Sequence, residues 1–189
     1  MQPVEPHAFN IDTHDLNLRP IQPADEAFYC SLYTNPTVMY FVAPALTPDQ
    51  AQRGFLKTLD LMQARPMACL LLVIVDRTTQ RPVGLCGVPQ FDADANTLEI
   101  GVMLLPDAQG KGYAKQSKIG LMQRLFSALP ANEICIRYQP ENSAAARSNR
   151  SIGFLPSALP CRAETSGTCR MSVMRQMWCT PDGCPNPNR

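Results

Sequence analysis

Apolar and polar residues change period several times along the chain. Leu16, Leu18 and Ile21 alternate with polar neighbours, the pattern of an edge or half-buried strand, and Pro20 and Pro23 close it. Between Ala24 and Tyr33, the residues Ala27, Phe28, Leu32 and Tyr33 recur at helical spacing, and Asn35-Pro36 ends that helix. Thr47-Pro48-Asp49-Gln50 combines an N-cap, a proline at the first helical position and a glutamine able to close a capping box, so a second helix runs to about Ala64. From Cys69 the period becomes that of strands. Cys69 to Asp76 is apolar on both faces, Arg77 to Gln80 turn the chain, Pro82 to Gln90 returns, and Thr97 to Leu105 alternates after a turn at Asp92 to Asn96. Three neighbouring strands predict an antiparallel meander. Leu121, Met122, Leu125, Phe126 and Leu129 then mark one face of a helix that stops before Pro130. Ile134, Ile136 and Tyr138 alternate as a central strand, Ser143 to Ser151 reads as a short helix, and Met171 to Trp178 as a last strand. Residues 1–14 lack periodicity and predict a flexible arm, 15–178 a single domain, and 179–189 a disordered tail with no apolar pattern.

Composition narrows the class. At 189 residues and 45% apolar content the chain buries one sizeable core more readily than two small ones. Its net charge of +1 provides no field to gather nucleic acid or an anionic membrane, which points to a small or local partner. The apolar run from Ala68 to Val75 is far shorter than the ~20 residues of a membrane-spanning helix. Glu5, His7, Asp12 and His14 at the start do not form a secretory signal, so the expected location is the cytoplasm. Of the eight cysteines, Cys30, Cys69, Cys86 and Cys135 sit in apolar segments as small hydrophobes. Cys161, Cys169, Cys179 and Cys184 lack the close pairs and neighbouring histidine of a zinc site, and no metal is expected.

The chemistry concentrates at one junction, Gln109-Gly110-Lys111-Gly112-Tyr113-Ala114. A strand that runs through a glycine-bearing turn into a helix leaves the first helical N–H groups unpaired, with the positive end of the dipole outward. Gly110 and Gly112 clear side chains from the path of an anion, and Lys111 adds charge. An ordinary β–α turn with two glycines would read the same way. The junction is not a Walker loop, because no Lys-Ser or Lys-Thr pair follows the glycines, and G-x-G-x-x-G is absent.

Gln109-x-x-Gly112-x-Ala114 resembles the Q/R-x-x-G-x-G/A signature of the GNAT acetyltransferases, whose loop holds the pyrophosphate of acetyl-CoA. Leu98-Glu99-Ile100-Gly101 precedes it, and Asn142 with Gly153-Phe154 is similar to the family's later asparagine and glycine-phenylalanine segment. Asn35-Pro36-Thr37-Val38-Met39-Tyr40 looks like the stretch after the first helix in the RimJ/RimL branch. The resemblance covers roughly residues 16 to 178. It implies an α+β three-layer GNAT fold, with a mixed, mostly antiparallel sheet of about six or seven strands splayed between the fourth and fifth, and about four helices.

The same resemblance implies an enzyme that moves an acyl group, most simply acetyl, from coenzyme A to a primary amine by direct attack in a ternary complex, as a monomer or homodimer. The acceptor would be a small molecule or a peptide or protein N-terminus. Met103, Leu104 and Leu105 would pair with the pantetheine arm; the backbone N–H of Met103 or Leu104 would polarise the carbonyl; Asn142 would bond the cofactor or cap the next helix. Glu99 matches a strand carboxylate that acts as general base in some members, although a surface glutamate at a strand start would look alike. Met39, Tyr40 and Phe41, with the loop from Ser157 to Thr168, would flank the acceptor entrance. The leaving-group acid departs from the pattern. Asn149 stands where many members carry tyrosine and Ala145 where the RimJ/RimL branch often carries serine, leaving Ser143, Ser148 or Tyr138 as substitutes, or solvent. A module that binds acyl-CoA without turnover is the alternative.

Overall fold

The computed structural model describes residues 4–156 and 167–178. The tail expected at 179–189 and most of the 157–168 loop lie outside the described residues. The first helices start where local chemistry places them. The 3-10 turn Pro23–Asp25 leads into α1 (Glu26–Tyr33). Asn35 does more than end α1: its side-chain oxygen accepts from Thr37 and Val38 amides at 2.9 and 3.3 Å and caps a short α2 (Pro36–Met39). At Thr47 the expected capping box forms, and α3 spans Pro48–Gln63.

Nine strands make two sheets among the described residues. The first holds β1 (Ile11–Asp12), β2 (Leu16–Pro20), β3 (Leu70–Asp76), β4 (Pro82–Val88) and β6 (Gly101–Leu104), all antiparallel in that order. The second runs β5 (Thr97–Glu99), β7 (Glu133–Tyr138), β9 (Cys169–Met174), β8 (Leu155–Pro156). Only β5 and β7 pair in parallel. The mixed α+β fold expected from the sequence is therefore present.

Four details differ from the pattern-based expectation. Residues 4–14 are not a loose arm: Phe9 is fully buried edge-on against Phe91, with ring centroids 5.8 Å apart, and Ile11 pairs with Leu18. Two apolar side chains outweigh the lack of a repeat there. Because β1 adds to its outer side, β2 is an internal strand, and Leu16 and Leu18 are buried. The third meander strand divides at Ile100, whose N–H bonds to the Cys135 carbonyl at 2.9 Å instead of continuing along β4. The final strand stops at Met174, and Arg175 turns its guanidinium onto the carbonyls of Phe126, Leu129 and Ala131, satisfying the end of α4 (Tyr113–Ala128).

Helix α4 closes the core. Leu121, Met122, Leu125, Phe126 and Leu129 are all buried, as their spacing requires, and each contributes roughly 1.5–3 kcal/mol of apolar burial. Helix α5 (Ser143–Arg150) packs beside α4 on the same side.

Candidate active site

The division at Ile100 opens the molecule. Up to Glu99 the chain pairs with β7; from Gly101 it pairs with β4, and β6 is the last strand of its sheet. Beyond the Glu99 and Cys135 register, no strand among the described residues pairs with the β6-facing side of β7. The facing edges of β6 and β7 thus diverge from a vertex at Ile100, leaving main-chain groups available to an extended ligand. A cleft of about 1340 Å³ follows this split, from the start of α4 past β6, β7 and α5 to Tyr40 and Phe41.

At one end the cleft meets the glycine junction. Gly110 and Gly112 have φ of 75° and 80°, the left-handed region that glycine enters without strain. A Cβ on either would project into open space, with nothing within 4 Å. Gly112 is the N-cap of α4 and supplies no capping side chain. The helix start is anchored from behind instead. Tyr113 donates its hydroxyl to Asp76 at 2.7 Å, and Gln116 binds Asp15 at 2.7 Å and Thr13 at 3.1 Å. The Gln109 amide donates to the Leu104 carbonyl at 3.4 Å. Positive electrostatic potential from the helix dipole therefore faces a cleft with room for an anion.

Most of the residues expected at the site line this cleft: Glu99, Met103, Leu104, Gln109, Gly110, Gly112, Tyr113, Ala114, Tyr138, Asn142 and Ser148. Leu105 and Lys111 are not among its lining residues, and Lys115 is. Met39 turns inward and is 2% exposed, so it packs in the interior, whereas Tyr40 and Phe41 form an exposed T-shaped pair at 4.7 Å on the rim. Asn142 caps α5, its side-chain oxygen accepting from the Ala145 N–H at 2.9 Å. Glu99 is held by the Arg137 guanidinium, which donates to both carboxylate oxygens, one at 3.0 Å. A carboxylate offers about four acceptor positions, so this fork leaves lone pairs toward the cleft. Burial is the first cause that raises the Tyr138 hydroxyl above its ordinary value, keeping it a protonated phenol.

One cluster was not anticipated. Lys118 on α4 is 3% exposed and donates to Ser148 Oγ at 2.9 Å and to Asn149 Oδ1 at 2.7 Å. Burial pushes its ammonium down to about 8. All three residues line the cleft. Ser148, one of the substitutes for the missing acid, is thus half-buried and held by Lys118. The helical face itself held the clue: Lys118 precedes Leu121, Met122 and Leu125 by three, four and seven residues, on the buried stripe.

Among the described residues, no cysteine lining the cleft is poised as a nucleophile. Cys69 and Cys86 line the cleft, but burial raises the Cys69 thiol to about 11 and the Cys86 thiol further, so both stay protonated at neutral pH.

Comparison with known proteins agrees with this architecture. Residues 15–155 match the family model of the acetyltransferase (GNAT) domain. The uncharacterized N-acetyltransferase p20 of Bacillus licheniformis is 26% identical over 144 residues, 75% of this chain and 80% of that protein. Spermidine N-acetyltransferase from Vibrio cholerae, solved with CoA and spermine, superposes with a TM-score of 0.72 at 19% identity, covering 87% of this chain and 98% of that one. RimJ of Mycobacterium smegmatis, solved with CoA-disulfide, gives 0.70 at 16% identity, over 85% and 82% of the two chains. A divided strand, an uncapped glycine-bearing helix start beside it and a domain match over three quarters of the chain agree, and the protein belongs to the GNAT family of N-acetyltransferases.

Proposed function

We propose that the protein binds an acyl-CoA, acetyl-CoA first among them, along the split between β6 and β7 and transfers the acyl group to a primary amine. The observation that carries this is the start of α4, where unpaired main-chain amides meet open space above Gly110 and Gly112. A diphosphate seated there directs the pantetheine arm into the split, where its amides pair with strand edges. The V. cholerae and M. smegmatis proteins, both solved with a form of coenzyme A, support the co-substrate.

The reaction needs a neutral amine, a polarised carbonyl and a proton for the leaving sulfur. Glu99 is the candidate base, acting directly or through water, and an amide of Met103 or Leu104 the carbonyl donor. Attack occurs in the ternary complex, with no covalent enzyme intermediate.

The lining also bears on the acceptor. Glu99 is the one acidic residue among the described residues lining the cleft, against Lys115, Lys118 and Arg137. Such a wall repels a polycation, and the Tyr40 and Phe41 rim offers apolar contact. The acceptor class is therefore an amine with an apolar body and little further positive charge, from a small molecule or a peptide N-terminus. Calorimetry with CoA, followed by thiol release from acetyl-CoA across a panel of amines, tests both halves. Binding with no release from any amine leaves a CoA-binding module, and no binding removes the assignment altogether.

A further inference from the structure

A buried lysine normally faces a carboxylate. The two oxygens that receive the Lys118 ammonium belong to neutral side chains, Ser148 and Asn149. The elements packed against α4 supply Asp12 from β1, Arg19 from β2, Cys86 from β4, and Arg147 and Arg150 from α5, both exposed; β6 carries no titratable side chain, and Glu99, Lys115, Arg137 and Tyr138 line the same cleft. Burial moves Lys118, and among the described residues no neighbouring charge offsets it. Holding an ammonium there is costly, and an apolar side chain would fill the same stripe without that cost.

Hydrogen-bond directions give the cluster an orientation. An ammonium only donates, so Ser148 Oγ must accept from Lys118, and the serine's own hydrogen is left to point elsewhere. Ser148 borders the cleft. The Asn149 oxygen also accepts from Lys118, which turns its Nδ2 away, and that buried donor has no partner among the described residues. The Ser148 hydrogen is thus left for the cleft that Ser148 lines, with the buried Asn149 amide behind it, and a donor aimed at an atom that becomes negatively charged stabilises that charge.

We propose that Ser148 is the acid that protonates the departing thiolate of coenzyme A, and that Lys118 positions and recharges it. The assignment rests on the proposed acyl transfer. As the acyl C–S bond breaks, sulfur keeps the electron pair. Ser148 Oγ–H gives its proton to sulfur, and Lys118 Nζ–H gives one to Ser148. The neutral lysine regains a proton from solvent, and the acceptor nitrogen loses one through Glu99 to solvent, so thioester and amine become amide and thiol. An ammonium lowered to about 8 is well matched to a thiol whose ordinary value is about 8.5.

The test needs no knowledge of the natural acceptor. Free CoA is bound to the wild-type protein, to Lys118→Met and to Ser148→Ala, with affinity measured by calorimetry and the bound thiol titrated by thiolate ultraviolet absorbance. The expected result is a bound thiol about tenfold or more acidic in the wild type than in Lys118→Met, at similar CoA affinity. With acetyl-CoA and a primary amine, both variants lose about tenfold or more in kcat with KM for acetyl-CoA little changed, and the fall in kcat above about pH 8 disappears. The double variant is no slower than the slower single one. CoA binding with equal thiol acidity in wild type and Lys118→Met overturns the role of Lys118 and leaves the proposed function standing. Wild-type kcat in Ser148→Ala, which keeps the lysine and removes one oxygen, overturns the relay. Absence of CoA binding by the wild type overturns both.

Discussion

The Lys118 ammonium makes the stability of the ligand-free protein depend on pH in a way that one substitution removes. Burial lowers its proton affinity from an ordinary 10.5 to about 8. At ~1.4 kcal/mol for each tenfold change in affinity, the difference amounts to about 3 kcal/mol. The sign follows from proton counting. Between about pH 8 and 10.5 the unfolded chain holds this proton and the folded chain does not, so stability rises with pH across that window. Below pH 8 both states are charged, and the full penalty applies. Lys118→Met has no proton to lose. Its stability at neutral pH mixes relief of the buried charge with two orphaned acceptors, Ser148 and Asn149, but the slope between the two pH limits belongs to the ammonium. Urea unfolding of both proteins from pH 7.5 to 10.5 isolates it, because tyrosines and cysteines titrate alike in each and cancel in the difference. The wild type should gain about 3 kcal/mol on the variant across the range, roughly 1.5 M in urea midpoint for a slope near 2 kcal/mol/M. A difference that stays flat with pH means that Lys118 titrates as an exposed lysine does, and the buried cluster is refuted.

Four other perturbations probe separate parts of the site. Gly112→Asp places a carboxylate where the diphosphate is expected and should abolish CoA binding by calorimetry; unchanged affinity removes the loop from the site. Glu99→Gln should depress acyl transfer more at neutral pH than at high pH, where the acceptor amine is already unprotonated, whereas equal loss on both limbs eliminates Glu99 as the base. Gly84→Ala sets a Cβ 2.3 Å from the Met103 carbonyl oxygen, so β6 must move; thermal unfolding should show a loss of about 1–3 kcal/mol, and an unshifted midpoint would mean that the two strands lie further apart. Asp76 is held below its ordinary value, first by the Tyr113 hydroxyl and then by the Thr79 amide. Its contribution is present above the ordinary carboxyl range and is lost as pH falls through the folded value, so Asp76→Asn should lower the midpoint at pH 7 and converge with the wild type in acid; a gap that persists in acid contradicts this origin.

The fold was legible wherever one physical signal dominated. The Thr47 capping box fixed the start of α3, and the apolar face from Leu121 to Leu129 fixed α4, because caps and helical stripes are local. The division of the third meander strand was not legible. Thr97 to Leu105 alternates without interruption, and only the competition between β4 and β7 for its two halves shows that Ile100 leaves one ladder for the other. The N-terminal segment misled for a related reason: Phe9 docks on Phe91 far along the chain and Ile11 pairs with Leu18, and two contacts make no period.

The site divides along the same line. Backbone chemistry reads directly from glycines, so the sequence alone places Gly110 and Gly112 at a helix start. Side-chain chemistry in this cleft comes from pairs on different elements, Glu99 with Arg137 and Lys118 with Ser148 and Asn149, separated by 38, 30 and 31 residues. Asn149 looked like a defect, a missing hydroxyl in a familiar position. In the folded protein it and Ser148 receive a lysine from the neighbouring helix. The substitution therefore does not imply that the proton source was lost, since the cluster places a charged donor within one hydrogen bond of the cleft wall. Whether chemistry survives turns on the protonation of Lys118, and that is set by burial, a property of the packed helices that no single position in the sequence carries.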